Sequence, residues 1–414
     1  MTSDLLTVKL EKLTYGGDAL GRLSDGRAVF VPFGLPGETV RIRSVDEKRG
    51  HARAELIEVL EPSPERIAPK CPHFGVCGGC HYQHLPYPAQ LAAKTGILRD
   101  QLLRIGKIVD PPVEQIVPSP MAWNYRNHIQ FHLTRDGKLG YIDAHSRSVI
   151  PIRECYLPEP PLNNLWPTLE FDHGLGLERV SLRLGAEDEA MLVLESASPD
   201  MPELELEADL SVVHLTGDEG IVMAGDDYLT MRVNDGGHDR LFHVSAASFF
   251  QVNTAMAGKM VAHLQAHLPV LPGATLLDVY CGVGLFSAFF APRMKRLIGI
   301  ESSLSACEDY TANLDEFENI ELYEAPAEDV LPSLNVKPEI VILDPPRLGL
   351  EKRALEALLA LGPARIAYVS CDPSTLARDA ARLIAGGYRL AQVTPFDLFP
   401  QTYHIECISI FEKG

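Results

Sequence analysis

The chain has 414 residues, 46% of them hydrophobic and 22% charged, which predicts two or three globular domains and excludes a disordered or low-complexity polymer. The N-terminal MTSDLLTVKLEKL carries no long apolar run, and no stretch of about 18 uninterrupted apolar residues occurs, so secretion and membrane spanning are not expected and the cytoplasm is the expected compartment. A formal charge of -19 argues on its face against a polyanionic partner, but residues 151–240 alone hold 20 acidic against 5 basic residues, while residues 63–150 hold 10 basic against 6 acidic. The acidic run around Glu187, Asp188, Glu189, Asp200, Glu203, Glu205, Glu207 and Asp209 reads as a solvated face turned away from any polyanion, leaving a neutral or basic face elsewhere.

In chain order, residues 1–62 alternate apolar and polar positions in LLTVKLEKL, GRAVFVPF, ETVRIRSV and HARAELIEVL, separated by glycine-bearing turns, which predicts a small OB-like β-barrel. Residues 63–240 open with Pro64 and Pro69, then a Cys/Gly-rich loop, then QLAAKTGILRDQLLRIG, whose apolar spacing of three and four fits an amphipathic helix. From about residue 120 the alternation returns and predicts a mainly-β, antiparallel domain. Residues 241–414 change texture. TLLDVY, RLIGIE, EIVILD and RIAYVS are continuous apolar runs with helical patterns such as EKRALEALLAL between them, the signature of an α/β, doubly wound parallel sheet.

In such sheets ligands bind beyond the carboxyl ends of the strands. Asp278, Glu301, Asp344 and Cys371 each fall at or just beyond such an end, so four reactive groups share one edge. The turn from Asp278 to Gly284, DVYCGVG, lets the backbone pass close to a ligand, and Glu301 closes the next strand at the spacing where an acid accepts two ribose hydroxyls. The absence of a third glycine fits a nucleoside with a sulfonium side chain better than a dinucleotide, and together these features resemble the S-adenosylmethionine site of class I (Rossmann-like) methyltransferases.

Cys371, in VSCDP, stands exposed where a substrate would sit. A chemistry that needs it is methylation of a pyrimidine at C5: a thiolate adds to C6, the resulting enolate attacks a methyl sulfonium, and a base then removes the C5 proton. FPQTYHIEC supplies such a base in Glu406. The segments DPPR (344–347), SCDP (370–373), FPQTYHIE (399–406) and FFQVN (249–253) together closely resemble the RNA 5-methyluridine methyltransferase family over the whole of residues 241–414. That resemblance implies Cys371 as nucleophile and Glu406 as base, with Gln251, Tyr280, Glu301 and Asp344 contacting S-adenosylmethionine. The chain departs from the family pattern at Leu285, where Asn is common, and at Ala325-Pro326-Ala327, which leaves Glu328 as the remaining acid near the adenine. His404 either orients Glu406 or packs; Cys281, Cys307 and Cys407 read as packing residues.

Cys71, Cys77, Cys80 and Cys155 offer four thiolates on sharply turning backbone, a set that takes either Zn²⁺ or an iron–sulfur cluster, with spacing alone favouring zinc. CPHFGVCGGCHYQHL with RECYL resembles the 4Fe-4S site of the 23S ribosomal RNA branch of the family, which implies a cluster of structural or RNA-positioning role. His73 and Phe74 then either touch RNA or pack. GGDALGRLSDGRAVFVPFGLPGETV likewise resembles a TRAM domain, with Arg22, Arg27, Arg41, Arg43, Lys48, Arg49 and Arg53 as implied phosphate contacts, and Trp123-Asn-Tyr-Arg126-Asn127 resembles a substrate-facing segment with Arg126 on the RNA.

The expected function is therefore methylation of C5 of a flipped-out uridine in 23S ribosomal RNA, with no membrane and no obligate protein partner. A tRNA 5-methyluridine enzyme and a catalytically silent RNA-binding protein on the same scaffold are the alternatives. A 5-methylcytidine enzyme fits less well, because Pro345-Pro346 stands where such enzymes carry Pro-Cys after the motif aspartate.

Overall fold

The structure is a computed structural model that describes residues 5–172, 174–200, 210–217, 219–268 and 273–414; Glu203, Glu205, Glu207 and Asp209 of the acidic run lie outside them. The described members Glu187, Asp188, Glu189 and Asp200 are exposed, as a solvated face requires.

The first five strands, β1 (Leu5–Leu13), β2 (Ala19–Arg22), β3 (Ala28–Val31), β4 (Thr39–Glu47) and β5 (His51–Glu61), close a barrel in the order β1-β2-β3-β5-β4. Alternation turns Val8, Leu10, Val29, Val31, Val40, Ile42 and Ala52 inward, and closure leaves no unpaired edge. The barrel core does not end at the barrel: Tyr82, Leu85, Ile97 and, from the far end of the chain, Ile405 belong to the same apolar cluster.

Helix α1 (Tyr87–Arg104) follows the Cys/Gly-rich loop, started by Pro86 and Pro88, whose missing N–H groups cost nothing in a first turn. A seven-stranded sheet then forms from β6 (His128–Leu133), β7 (Leu139–Ile142), β8 (Val149–Pro151), β9 (Leu177–Leu184), β10 (Ala190–Ser196), β11 (Ser211–Thr216) and β12 (Glu219–Ala224), in the order β12-β11-β10-β9-β6-β7-β8, with the short helix α2 (Pro160–Leu165) against it. The pairing is antiparallel except between β10 and β11, which run parallel, a departure from the all-antiparallel expectation. The hairpin β13 (Tyr228–Asn234) and β14 (Asp239–Ser245) leads into the last domain.

That domain alternates α3 (Thr254–His267), β15 (Thr275–Val279), α4 (Leu285–Phe290), β16 (Arg296–Glu301), α5 (Leu304–Asn313), β17 (Ile320–Glu324), α6 (Ala327–Val330), β18 (Ile340–Leu343), α7 (Lys352–Leu361), β19 (Arg365–Ser370), α8 (Pro373–Ala385), β20 (Tyr388–Phe396) and β21 (Glu406–Lys413). The sheet order is β17-β16-β15-β18-β19-β21-β20, parallel from β17 through β19 and antiparallel for β21 and β20. The parallel strands β15, β16, β18 and β19 are buried on both faces, which is why they read as unbroken apolar runs, while β17 at the edge is half-exposed. Among the described residues no helix is long and apolar enough to cross a membrane.

Candidate active site

The reacting end is built where β19 and β21 meet. Their antiparallel register ends on the pair Ser370–Cys407, so Cys371 and Glu406 are the next residues along the two chains at the end of the ladder. Glu406 also pairs with Phe396 of β20 and is buried. Cys371 begins the turn into α8, and Asp372 caps that helix by accepting from the N–H groups of Ser374 at 2.8 Å and Thr375 at 3.0 Å. Burial, then the charges of Glu406 and Asp344, push the Cys371 thiol up to about 12, and Arg347 pulls the other way. Burial, then Asp344, likewise holds the Glu406 carboxyl well above its usual range, with Arg347 opposing. Arg347 is thus the positive charge of the reacting end. Sequence reasoning quoted it within DPPR without giving it a role; its place directly after the strand-end Pro-Pro was the signal.

His404 does not orient Glu406. Its Nδ1 accepts from the Arg347 guanidinium at 3.1 Å, and its ring lies between Phe399 and Tyr403. Burial, then Arg347, lowers its pKa to about 3, so it is a neutral acceptor that aims the arginine.

The cofactor end lies along the same sheet edge. Asp278 is fully buried in β15, and its Oδ2 accepts from the Ser287 N–H at 3.1 Å and hydroxyl at 2.7 Å. Tyr280 follows at φ +64°, an unusual conformation for a bulky residue, and turns the chain at the strand end. Gly282, at φ +53°, has open space where a side chain would begin, while a side chain at Gly284 would meet Leu314 at 2.5 Å. The first glycine therefore clears room outside the turn and the second lets the turn pack inside. The Glu301 carboxylate accepts from Gly282 N–H at 2.9 Å and from Ser302 and Ser303 N–H at 2.7 and 2.9 Å, which fixes it at the end of β16. Asp344 follows β18; burial, with the charges of Asp278 and Glu301, pushes it up to about 7, and burial pushes Asp278 up to about 6. Gln251 is buried, its carbonyl accepting from Asn127 at 3.1 Å. Just beside it Phe249, to which the sequence reading assigned nothing, stands 71% exposed. Leu285 is packed in the core, and Glu328 lies beside Tyr280, whose pKa burial and then Glu328 raise to about 12.

The four remaining thiols, Cys71, Cys77, Cys80 and Cys155, are all free and line one cavity of about 50 Å³. The Gly79 N–H points at Cys77 Sγ at 3.4 Å. Among the described residues no three His, Cys, Asp or Glu side chains converge closely enough for a single metal ion; the sulfurs border the cavity instead. His73 accepts from the Arg153 N–H at 3.2 Å, and Phe74 packs between Phe33 of the barrel and His84, so both pack around the thiols. Arg126 also lines this cavity. Most of the barrel's basic residues already face acids: Arg27 is paired with Asp25 and Glu47 at 2.6 and 3.2 Å, Arg41 with Glu58 at 2.6 Å, and Arg43 with Glu55 at 3.3 Å. Arg53 lines an open groove of about 1530 Å³ between barrel and central sheet, whose walls include Phe30, Phe33, His81, His132 and Tyr403.

A closed five-stranded barrel joined to a doubly wound sheet with these groups at its carboxyl edge defines a TRAM-bearing, class I methyltransferase fold. The TRAM family model matches residues 3–57, and that of tRNA (uracil-5-)-methyltransferase matches residues 201–414. An uncharacterized RNA methyltransferase of Gloeobacter violaceus is 33% identical, over 99% of this chain and 96% of its own length, and one of Thermotoga maritima is 32% identical over 98% and 99%. The crystal structure of the Pyrococcus abyssi tRNA (uracil-54, C5)-methyltransferase in complex with S-adenosyl-L-homocysteine matches with a TM-score of 0.74 at 25% identity, covering 98% of this chain and 99% of that one. The chain belongs to the RNA (uracil-5-)-methyltransferase family.

Proposed function

We propose that the protein transfers a methyl group to C5 of a uridine in 23S ribosomal RNA through a covalent bond between Cys371 and C6, with residues 1–62, 63–240 and 241–414 as its RNA-binding, cysteine-bearing and methyl-transferring parts. The observation that supports this reading is that Cys371 and Glu406 both lie at the end of the β19–β21 ladder, where the charge of Glu406 acts on the thiol and Arg347 acts on both. S-adenosylmethionine, when bound, supplies an electrophilic methyl group on a positively charged sulfur. The open side of Gly282, the fixed carboxylate of Glu301, and Asp278, Asp344, Tyr280 and Gln251 along one edge fit a cationic nucleoside of this kind. The Cys371 thiolate forms the C–S bond at C6, which places the electron pair of the C5–C6 double bond on the C5 enolate. C5 takes the methyl group; Glu406 then removes the C5 proton, the C–H pair restores the double bond, and the thiolate leaves.

For the thiol cavity we propose a 4Fe-4S cluster held by Cys71, Cys77, Cys80 and Cys155. Four free thiols lining one cavity are a donor set that either a cluster or a zinc ion takes, and the resemblance of the cysteine loop supports the cluster. The barrel packs on this loop through Phe33 and Phe74, which supports a structural or RNA-positioning role for the cluster. The cysteine set together with the barrel favours ribosomal RNA; the likeness to the Pyrococcus abyssi enzyme favours tRNA as the second reading. The deciding experiment incubates the protein with methyl-labelled S-adenosylmethionine and unmodified 23S rRNA or tRNA transcripts, then identifies the labelled nucleoside. Label in 5-methyluridine from rRNA is expected; label from tRNA alone moves the substrate, and no 5-methyluridine from either sinks the reading.

A further inference from the structure

The two catalytic side chains sit in the last domain, yet each is flanked by a contact from the first. On one side, the Asp372 carboxylate next to Cys371 divides its work. Its Oδ1 accepts the Ser374 N–H, the Ser374 hydroxyl and the Thr375 N–H, at 2.8, 2.8 and 3.0 Å, while its Oδ2 accepts the hydroxyl of Tyr15 at 3.0 Å, from 357 residues away. On the other side Ile405, the residue before Glu406, is fully buried in the barrel's own core cluster.

Tyr15 is itself fixed. It lies in the β1–β2 turn, which is closed by Gly17 N–H to the Thr14 carbonyl at 3.1 Å. Gly17, at φ +93°, adopts a conformation that favours glycine, and a side chain there would press on His81 at 3.1 Å. The Tyr15 ring stands edge-on to Tyr403 at 5.8 Å, and Tyr403 in turn meets His81 at 4.6 Å. A phenol held this firmly is a fixed donor, and the oxygen it serves belongs to the carboxylate adjoining the nucleophile.

We propose that the barrel completes the catalytic centre and that Tyr15 is a positioning residue, whose hydroxyl holds the Cys371–Asp372 turn in its reactive geometry. The inference rests on Cys371 being the nucleophile. The hydroxyl does two things at once: it anchors the turn that carries the thiol, and it occupies the carboxylate oxygen that α8 leaves free, reducing the negative charge felt by the forming thiolate. The barrel thereby gains a part in chemistry as well as in RNA binding.

Tyr15→Phe tests this, because it keeps the ring on Tyr403 and removes only the donor. Two measurements are made on variant and wild type: the single-turnover methyl-transfer rate with the RNA KM, and the pH profile of Cys371 alkylation by iodoacetamide, followed by mass spectrometry without RNA. The proposal expects a rate lower by about tenfold, an RNA KM within about twofold, a Cys371 alkylation midpoint moved to higher pH, and an unchanged melting temperature. A wild-type rate, a change in RNA KM alone, or an alkylation profile that superimposes on wild type would overturn it. The alkylation arm uses no RNA, so it decides on Tyr15 even if the wild type methylates none of the RNAs offered, a result that would count against the proposed function alone.

Discussion

At the scale of single residues the site separates the two halves of the reaction. Cys371→Ala should abolish both methyl transfer and any covalent protein–RNA species, whereas Glu406→Gln should form the bond to C6 and stall, so that an adduct accumulates on denaturing gels. Normal turnover by Glu406→Gln would remove the base assignment. Both groups act deprotonated, and both are held above their usual pKa, the thiol at about 12. The rate should therefore climb as pH rises from about 6 to about 9, rather than peak near neutrality, in a pH–rate profile at saturating substrate. Phe249, with 71% of its surface exposed two residues before Gln251, is an accessible aromatic face on which the proposed function expects a base to stack. Phe249→Ala should raise the RNA KM roughly fivefold or more, from a lost stack of about 1 kcal/mol or more, with the affinity for S-adenosylmethionine unchanged by calorimetry.

At the scale of elements, the segment between β20 and β21 is held almost entirely by parts distant in sequence. Lys94 of α1, with no exposed surface, donates to Asp397 at 2.6 Å and to the Phe399 carbonyl at 3.0 Å. Gln90 exchanges two hydrogen bonds with Gln401, at 2.9 and 3.0 Å, and Tyr125 donates to the Pro400 carbonyl at 3.0 Å. Lys94→Met fills the same volume but strands Asp397, so it should cost about 3–5 kcal/mol in urea unfolding. The helix carrying Lys94 and Gln90 was legible from its apolar period, as were the strand ends bearing Asp278, Glu301, Asp344 and Cys371, because continuous apolar runs admit few other readings. The placing of β21 between β19 and β20 was not legible, because nothing local to residues 406–413 names their neighbours, and without that register the pairing of Cys371 with Glu406 as nucleophile and base rested on resemblance. The parallel pairing of β10 with β11 escaped for the same reason, since alternation fixes faces and not directions. Arg126 and His404 were named as residues, but their partners, the thiol cavity and Arg347, are brought to them only by the fold.

At the scale of the whole molecule, acids are concentrated on one sheet edge at a cost to stability. Asp278 and Asp344 are raised to about 6 and about 7 from an ordinary carboxyl value, so each favours the folded state while protonated and withdraws that support as pH rises. The contribution is complete below the unfolded-state pKa near 4 and is lost by about pH 7. Asp344→Asn, neutral at every pH, should thus gain melting temperature relative to wild type as pH rises from about 4 to about 7 and hold a constant lead above that. Parallel melting curves across the range would contradict the burial of this carboxyl.

The ion pair between Lys94 and Asp397, 303 residues apart, also ties an early helix to a segment made near the end of synthesis. A ribosome has already released the barrel, the thiol loop and α1 before it makes Asp397, and it makes Glu406 later still. Until β21 takes its place between β19 and β20, the growing chain lacks both Glu406 at the end of the ladder and Ile405 in the barrel's core, so the first domain and the last are finished by the same few residues.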